Sequence, residues 1–491
     1  MPEIRINSTS KYSVCRALFL DRTFNNLIKY KTMKKHHQIL LTTALFITLF
    51  YGETAIGLNL GILGISYAVL ILAETPKKKW SRNFLLLFVT TVFSSVAFAW
   101  FGDFISGFAV FTSIFLFAFK AKNGDLKSLL VIPLFVTNFF TFIGRFFKFG
   151  DWLPQKKTTG MTQKIISIFV IPFVFIAVFF GVYSLGSDHF SQFFTTWEFD
   201  LNFWQLFWVI ILGFFLAFTV WNFRLYNFIL GMNHELKNDF VNEDITEKST
   251  YSFMDLDAER KSGVVSFLAL NILLLIFIVT FNYEQFIEVQ KNPNLLSAET
   301  HERVNAVILS IILAICVIMF YFKGNFNFDI EARSLKIMAK MWIVLNAVLV
   351  ISAVVKNSEY ILNWGLTYKR LGVYAFLILA LIGLILTFYK IHFRKTNAFL
   401  FNQMFWYFYG TMLVCSFINW GGIITNHNMD RKDFKVNYDL YLIDFNEKQL
   451  LEYAEQTKDE KLKQEILHQV KYKNEESFLS KTLYYETFKS K

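Results

Sequence analysis

The chain has 491 residues, of which 54% are hydrophobic and 18% are charged. Soluble domains carry about 25% charged residues, so this composition excludes an ordinary soluble protein. The net charge of +11 does not indicate nucleic-acid binding, because the basic residues lie in short clusters beside apolar blocks and no RNA-binding or zinc-finger pattern occurs.

Residues 1–35 form a basic N-terminal tail without the apolar, cleavable pattern of a secretory signal peptide. Met33 is followed by Lys34 and Lys35 and then by apolar sequence, which is typical of the start of a membrane protein. We therefore expect residues 1–32 to be an upstream extension or tail without a span. The N-terminus is expected to be cytoplasmic.

Residues 36–425 are predicted to form a membrane domain, because long apolar blocks recur throughout this range. A helix needs about 20 apolar residues to cross the hydrocarbon core. The blocks of this length or slightly less are 39–51, 56–73, 84–101, 104–119, 165–185, 203–223, 263–281, 304–322, 337–355, 371–389 and 399–424. They predict an all-α, polytopic integral membrane protein with about eleven transmembrane helices.

Charges in the connections orient these helices. Lysine and arginine cluster in the N-terminal tail, at 77–82 and at 120–127, whereas the connections 52–55 and 102–103 contain neither. Basic connections favour the cytoplasmic side of a membrane. The two sets of connections are therefore predicted to lie on opposite sides.

The apolar stretch 129–143 does not fit this alternation. The following segment, 144–164, is basic and is predicted to be cytoplasmic, like the connection that precedes the stretch. The short length of the stretch 129–143 and the presence of Pro133 also disfavour a crossing. We expect residues 128–149 to be re-entrant or to lie at the inner interface. A true span here, giving twelve in total, is the alternative.

Residues 426–491 are predicted to be a soluble, helical tail. Its apolar positions with helical spacing are Leu462, Ile466, Leu467 and Val470. The connection 390–398 is basic and is followed by one crossing, so the tail is expected outside the cytoplasmic membrane.

Candidate metal ligands collect on the predicted external side, at Asp188, His189, His301 and His427. Imidazole and carboxylate groups hold zinc at about 2.0–2.2 Å when three or four of them converge. Nothing in the sequence brings these residues together, so solvated loop residues are the alternative. The three cysteines are far apart and form no CxxC motif. No cofactor is expected.

The turn before the predicted span 371–389 carries a second candidate site. Gly365 suits a turn, Thr367 can cap the following helix, and Lys369 and Arg370 can grip phosphate headgroups. Thr367, Lys369 and Arg370 are therefore candidate contacts for a lipid headgroup or another anion. A helix cap with interfacial anchors is the alternative.

Three late segments, 365–371, 419–428 and 438–442, resemble the end of a bacterial membrane-protein family. This family is catalogued as domain of unknown function four-one-seven-three and has a relative numbered four-one-five-three. The similarity lies in a GLT-x-x-R-like start of a late span, an Asn-containing span exit and a YL-containing tail.

The stretch 298–304 also resembles this family, with His301 and Glu302 in place of its usual aromatic and basic residues. The resemblance covers about residues 34–455 and implies a polytopic protein of the bacterial inner membrane. It implies no activity.

Three functions are open. The first is a transporter, channel or lipid-handling protein. The second is a structural or sensory protein that binds a protein partner or a second copy through its tail or the loop 232–262. The third is a membrane-embedded enzyme acting on a lipid-linked substrate, although the sequence lacks nucleotide-binding, zinc-protease and GxSxG motifs. Membrane lipids are expected partners in each case. A water-accessible cavity would favour the first function, and a solid Phe-packed core the second.

Overall fold

The computed structural model describes residues 33–153, 168, 171–187, 202–241, 253–286, 293–431, 440 and 443–488. The elements named within these ranges are helices. They are α1 Lys35–Phe50, α2 Leu58–Glu74, α3 Arg82–Phe101, α4 Phe104–Lys122, α5 Val131–Phe140, α6 Phe142–Phe146, α7 Ile171–Gly186, α8 Phe203–Trp221, α9 Asn227–Glu235, α10 Leu256–Phe286, α11 Pro293–Tyr321, α12 Arg333–Trp364, α13 Tyr368–His392, α14 Asn397–Cys415, α15 Trp420–Met429, α16 Glu447–Thr457, α17 Glu460–Glu475 and α18 Leu483–Glu486. Four short 3-10 turns occur at Lys77–Lys79, Ser128–Leu130, Phe149–Asp151 and Asn325–Asn327.

Seven of the described helices are long and apolar enough to cross a membrane: α3, α4, α8, α10, α11, α12 and α13. Helices α14 and α15 meet the same criterion only as a pair. Helices α1, α2 and α7 overlap predicted spans but have only 16, 17 and 16 residues. The described residues therefore show an all-helical architecture with seven or eight long apolar helices, which fits a polytopic membrane protein. They do not confirm the expected eleven.

The predicted span 399–424 is not one continuous helix, because the helix breaks between α14 and α15 and the axis bends by 65°. The cause is local. The side-chain oxygen of Asn419 accepts the N–H of Gly422 at 2.8 Å and so starts a new helix. Asn favours this capping position over the helix interior.

The segment predicted not to cross the membrane consists of short pieces. Helix α5 has ten residues and α6 has five, with the break at Thr141. Ten helical residues rise about 15 Å, which is half of a hydrocarbon core of about 30 Å. Helix α5 packs against α4, where Phe115 and Phe135 make an edge contact with centroids 4.9 Å apart.

The first bundle contains α1, α2, α3, α4 and α8, and α14 packs into it. Its core includes the fully buried side chains of Tyr67 and Phe117. Helices α2 and α3 approach closely at Gly61, where an added Cβ would lie 2.7 Å from the Cβ of Ala99. Small residues allow such close contacts between membrane helices, where packing rather than water exclusion drives association.

The second bundle contains α10, α11, α12 and α13. Phe267 and Phe322 are fully buried in its core, and Asn271 donates a hydrogen bond across the bundle to the carbonyl of Met338 at 3.1 Å. Helix α14 joins the two bundles, because it packs on α13 through Phe399 and on α4 through Tyr409, whose hydroxyl lies 2.8 Å from that of Ser113.

We predict that Gly61→Ala destabilises the protein by about 1–3 kcal/mol, because the new methyl group overpacks the contact between α2 and α3. Gly372→Ala is the matched control, since a Cβ there meets nothing within 4 Å. It should leave the melting temperature in detergent unchanged or raise it through its helix propensity. Equal effects of the two substitutions would contradict the close contact.

Candidate functional site at the junction of the tail and the bundles

The C-terminal tail forms a small core of its own on the end of α3. Residues of α16, α17 and α18 pack together with Phe101, the last residue of α3. The expected apolar stripe is largely correct, since Leu462, Ile466 and Val470 are buried. Leu467 is the exception, because it lies on the outer face and is 46% exposed.

The tail caps the first turn of α2. The amide of Leu58 donates to the carbonyl of Lys481 at 2.8 Å, and the amide of Asn59 donates to the carbonyl of Leu479 at 2.9 Å. The first N–H groups of a helix have no acceptor within that helix. The tail therefore supplies acceptors that α2 cannot provide for itself.

Ser480 organises the loop between α1 and α2. Its hydroxyl donates to the carboxylate of Glu53 at 2.6 Å and accepts the amides of Thr54 and Ala55 at 3.2 Å each. The hydroxyl of Ser477 also donates to the Glu53 carboxylate. This one loop is thus bound to the tail through both side chains and backbone.

The turn between α12 and α13 contains the predicted headgroup contacts. Gly365 has a φ of 81°, a left-handed conformation that favours glycine. Thr367 caps α13 as predicted, and its hydroxyl accepts the amide of Arg370 at 3.4 Å. The guanidinium of Arg370 donates to the Gly365 carbonyl and lies 4.0 Å from the ring centroid of Tyr360. Arg370 therefore stabilises the turn itself.

Lys369 and Thr367 are exposed on the outer side of this turn, whereas Arg370 is half-buried. A headgroup role for the three residues remains a prediction. Of the three, Lys369 offers its side chain most fully to a ligand.

Helix α15 is attached to the same turn by Asn428. Its side-chain oxygen accepts the amide of Leu366 at 2.6 Å, and its side-chain nitrogen donates to the Leu366 carbonyl at 2.9 Å. Arg431 adds a hydrogen bond to the carbonyl of Asn363 at 2.7 Å. The segments 365–371 and 419–428, both used for the family resemblance, therefore lie in contact.

The third resembling segment joins them at Leu440, its one described residue. The side-chain nitrogen of Asn446 donates to the Leu440 carbonyl at 2.9 Å and to the hydroxyl of Thr425 at 3.0 Å. Asn419 donates to the carbonyl of Phe445 at 2.9 Å. Side-chain amides thus connect these three segments.

A buried carboxyl group lies inside the tail core. Glu447 accepts a hydrogen bond from the hydroxyl of Tyr485 at 2.8 Å. Burial raises the pKa of Glu447 above its usual value, and the nearby carboxyl of Asp444 adds to this effect. Burial also raises the pKa of Asp444 itself, against the opposing charge of Lys473. Folding of the tail therefore favours the protonated form of Glu447.

The predicted metal ligands are not brought together by the described residues. Asp188 and His189 lie outside the described ranges, as does the side chain of His301, while His427 is half-buried on α15. In the described part of the chain, no group of three or more His, Cys, Asp or Glu side chains is arranged to hold a metal ion. A metal centre at these residues remains a prediction.

The junction contains residues that the sequence did not single out. Glu53 and Ser480 are 427 positions apart, and neither lies in a recognisable motif. Asn428 belonged to the resembling segment, but its two hydrogen bonds to Leu366 depend on the bend before α15. Of Glu53, Ser480 and Asn428, the sequence pointed only to Asn428, through the family resemblance of the segment 419–428.

We predict that Glu447→Gln stabilises the tail at neutral pH. Because the folded-state pKa is raised, stability of the native tail falls as pH rises from the ordinary value of 4.5 through the higher folded-state value. Glutamine keeps an acceptor for Tyr485 and removes this loss. Hydrogen exchange of tail amides between pH 4.5 and 7.5 measures the effect. Glu452→Gln, on the exposed side of the same helix, is the control, and identical pH profiles for the two variants would contradict the prediction.

A family model described as "Domain of unknown function (DUF4153)" matches residues 61–456. The matched range includes the three segments that meet at the junction. No curated protein and no solved structure matches the chain. The matching family is the one named above as the relative, and the resemblance to domain of unknown function four-one-seven-three is not confirmed. Since the match covers well over half of the 491 residues, the chain belongs to the DUF4153 family.

Proposed function

We propose that this DUF4153 protein is a structural or sensory membrane protein whose C-terminal region couples its two helical bundles and binds a partner. The observation that carries the proposal is the double attachment of this region. Residues 479–481 bind the start of α2 in the first bundle, and Asn428 binds the turn after α12 in the second. An event at the tail can therefore act on both bundles.

The packing of the two bundles supports this function over transport. Large aromatic side chains fill both cores, including Phe117, Phe218 and Phe267. Several small polar groups in the first bundle are bound within their own helix, as Thr91 is to the carbonyl of Leu87 at 2.7 Å. A solute pathway needs convergent polar groups around a cavity. The described cores provide packed apolar side chains instead.

The outer face of the tail supplies a surface for a partner. Leu467, Tyr472 and Phe478 are 46%, 64% and 70% exposed, on or just after α17. Large exposed apolar side chains are available for contact with a partner. We propose that a protein partner or a second copy of the chain binds here. The loop 232–262 is the other candidate, and its residues 242–252 lie outside the described ranges.

We propose that the protein lies in the bacterial cytoplasmic membrane, with 36–425 as the membrane domain, 426–491 as an external tail and 128–149 at the inner interface. Basic connections meet at the end opposite the tail, where the Lys79 ammonium group donates to the Lys122 carbonyl at 3.2 Å and the backbone amide of Lys127 donates to the Asn233 side chain at 2.9 Å. The positive-inside rule places that end in the cytoplasm. An odd number of spans places the two ends of the chain on opposite sides of the membrane. Eleven spans with a cytoplasmic N-terminus therefore agree with an external tail.

Cysteine labelling tests this topology. After replacement of the native cysteines, a membrane-impermeant thiol reagent added to intact cells should label Gln456→Cys in the tail. Asp125→Cys and Gln155→Cys should both resist it, because both ends of 128–149 are expected inside. Labelling of one of these two positions would show that the segment crosses the membrane, and protection of Gln456→Cys would place the tail inside.

The coupling is tested by spin labels at Ile56→Cys, exposed just before α2, and Leu362→Cys, exposed near the end of α12. In a lipid nanodisc, the pair should show one narrow distance distribution. The double variant Asn428→Ala/Ser480→Ala should broaden it, because the side-chain contacts of Asn428 with Leu366 and of Ser480 with Glu53 are lost. Glu452→Ala/Lys461→Ala, at exposed tail positions, is the control. An unchanged distribution in the first variant would reject the coupling.

Lipid handling is the second candidate function. One specific observation favours it: an aromatic cleft opens on the first bundle between α4, α5 and α8. The cleft is lined mainly by apolar side chains, which favour contact with hydrocarbon over contact with a hydrated solute. An enzyme acting on a lipid-linked substrate has no comparable support among the described residues.

A further inference from the structure

Three cations meet at the end of α8, on the side of the first bundle opposite the tail. The Lys35 ammonium group lies 3.5 Å from the side-chain oxygen of Asn222, and Arg145 donates to the Asn222 carbonyl at 2.6 Å. Lys122 donates to the carbonyl of the next residue, Phe223. The positive charges of Lys35 and Arg145 both act on that of Lys122. These three side chains, from α1, α4 and α6, form a cation cluster.

The cation cluster has no carboxylate partner in the described part of the chain. None of its three members forms a salt bridge there. Lys35 contacts Asp151 through the backbone carbonyl of that residue, at 3.5 Å. The carboxylate of Glu74 instead accepts the amide of Met33 at 2.8 Å and the side-chain nitrogen of Gln38 at 3.1 Å.

Helix ends offset only part of the charge of the cluster. A helix C-terminus carries about half a negative charge, so the ends of α4 and α8 together supply about one. The start of α1 acts in the opposite direction, because a helix N-terminus is itself positive. Lys35 lies in this first turn, which contains no acidic residue. About two positive charges of the cluster are therefore not offset by the helix ends.

The buried member of the cluster is Arg145, which is 5% exposed. Two of its nitrogens donate to the carbonyls of Asn222 and Asn138, but its Nε has no hydrogen-bond partner among the described residues. A buried charge costs free energy unless hydrogen bonds and an opposite charge compensate for it. An anion beside the cluster would supply the opposite charge.

The other two members of the cluster are accessible to a ligand, because Lys35 and Lys122 are both exposed. An ammonium group has three N–H donors, and Lys122 uses one of them on Phe223. On α6 and directly after it, Ile143 and Phe147 are 68% and 64% exposed. Accessible cations beside an exposed apolar surface match a phosphate group that is attached to a hydrocarbon chain.

We propose that the cation cluster binds the phosphate group of an anionic ligand. The phosphate oxygens accept hydrogen bonds from Lys35 and Lys122, while Arg145 holds the neighbouring carbonyls and adds its charge. An anionic phospholipid and a free phosphate compound present the same group, and the adjoining apolar surface favours the lipid. The site is separate from the turn that carries Thr367 and Lys369. It also does not depend on coupling through the tail, which concerns the other end of the molecule.

Thermal unfolding of the full-length protein in an uncharged detergent tests the binding. The probes are phosphatidylglycerol, phosphatidylcholine with the same acyl chains, and inorganic phosphate compared with chloride at equal ionic strength. We expect phosphatidylglycerol to raise the melting temperature more than phosphatidylcholine does. A rise with inorganic phosphate as well would show that the phosphate group suffices, and a rise with phosphatidylglycerol alone would show that the lipid is required. No difference within either pair of probes would overturn the proposal.

Matched variants locate the site. Lys35→Gln and Lys122→Gln should each lower the apparent affinity for the stabilising anion about fivefold, as expected for one lysine near a headgroup. Lys261→Gln is the control, because this lysine is 75% exposed on α10 and pairs with Asp257 at 2.6 Å. It should leave the affinity unchanged. An equal loss in all three variants would show a general attraction of basic residues for the anion and would overturn the proposal.

The variant Lys35→Gln also separates anion binding from a structural role. Without the anion, it should leave the melting temperature unchanged or raise it, because it removes repulsion from Lys122 and Arg145 and a cation from the start of α1. With the anion, it should lower the melting temperature. Equal losses in both conditions would give Lys35 a structural role only and reject the site. Lys35 is exposed and its two hydrogen bonds are 3.5 Å long, so this variant decides if Lys122→Gln does not fold.

Discussion

The first amides of α2 require acceptors, and the carbonyls of Leu479 and Lys481 provide them. The structure of the tail end of the molecule depends on these two backbone hydrogen bonds. A helix start close to a membrane cannot leave its N–H groups unsatisfied at low cost. Because residues 479–481 are fixed there, the Ser480 hydroxyl lies within hydrogen-bond distance of Glu53. The tail core packs over Phe101.

The same requirement explains several polar side chains. The buried Arg145 and Lys390 and the half-buried Asn428 each donate to a backbone carbonyl of another element. The Lys390 ammonium group is fully buried and donates to the carbonyl of Phe322 at 2.7 Å, directly after the end of α11. Cations are stabilised at helix C-termini, where carbonyls lack partners. Long-range order in this fold therefore comes largely from side chains that complete helix ends.

Polar contacts connect different parts of the chain at both ends of the bundles. At the tail end, Ser480 binds Glu53, and Arg370 donates to the carbonyl of Gly365. At the other end, Lys122 donates to the Phe223 carbonyl. The turn between α13 and α14 is tied to the segment after α9, since the Thr396 amide donates to the Asn238 carbonyl at 3.2 Å.

The sequence by itself determined the fold class, most of the long apolar helices and the start of α13 at Thr367. These features depend on local composition and on side chains that bind their own neighbouring backbone. Tertiary structure decided the exposure of Leu467 and the meeting of Glu53 with Ser480. A uniformly apolar helix carries little periodic signal to indicate which face packs against which neighbour. Contacts between residues 427 positions apart depend on how all the intervening helices pack, so only the folded chain specifies them.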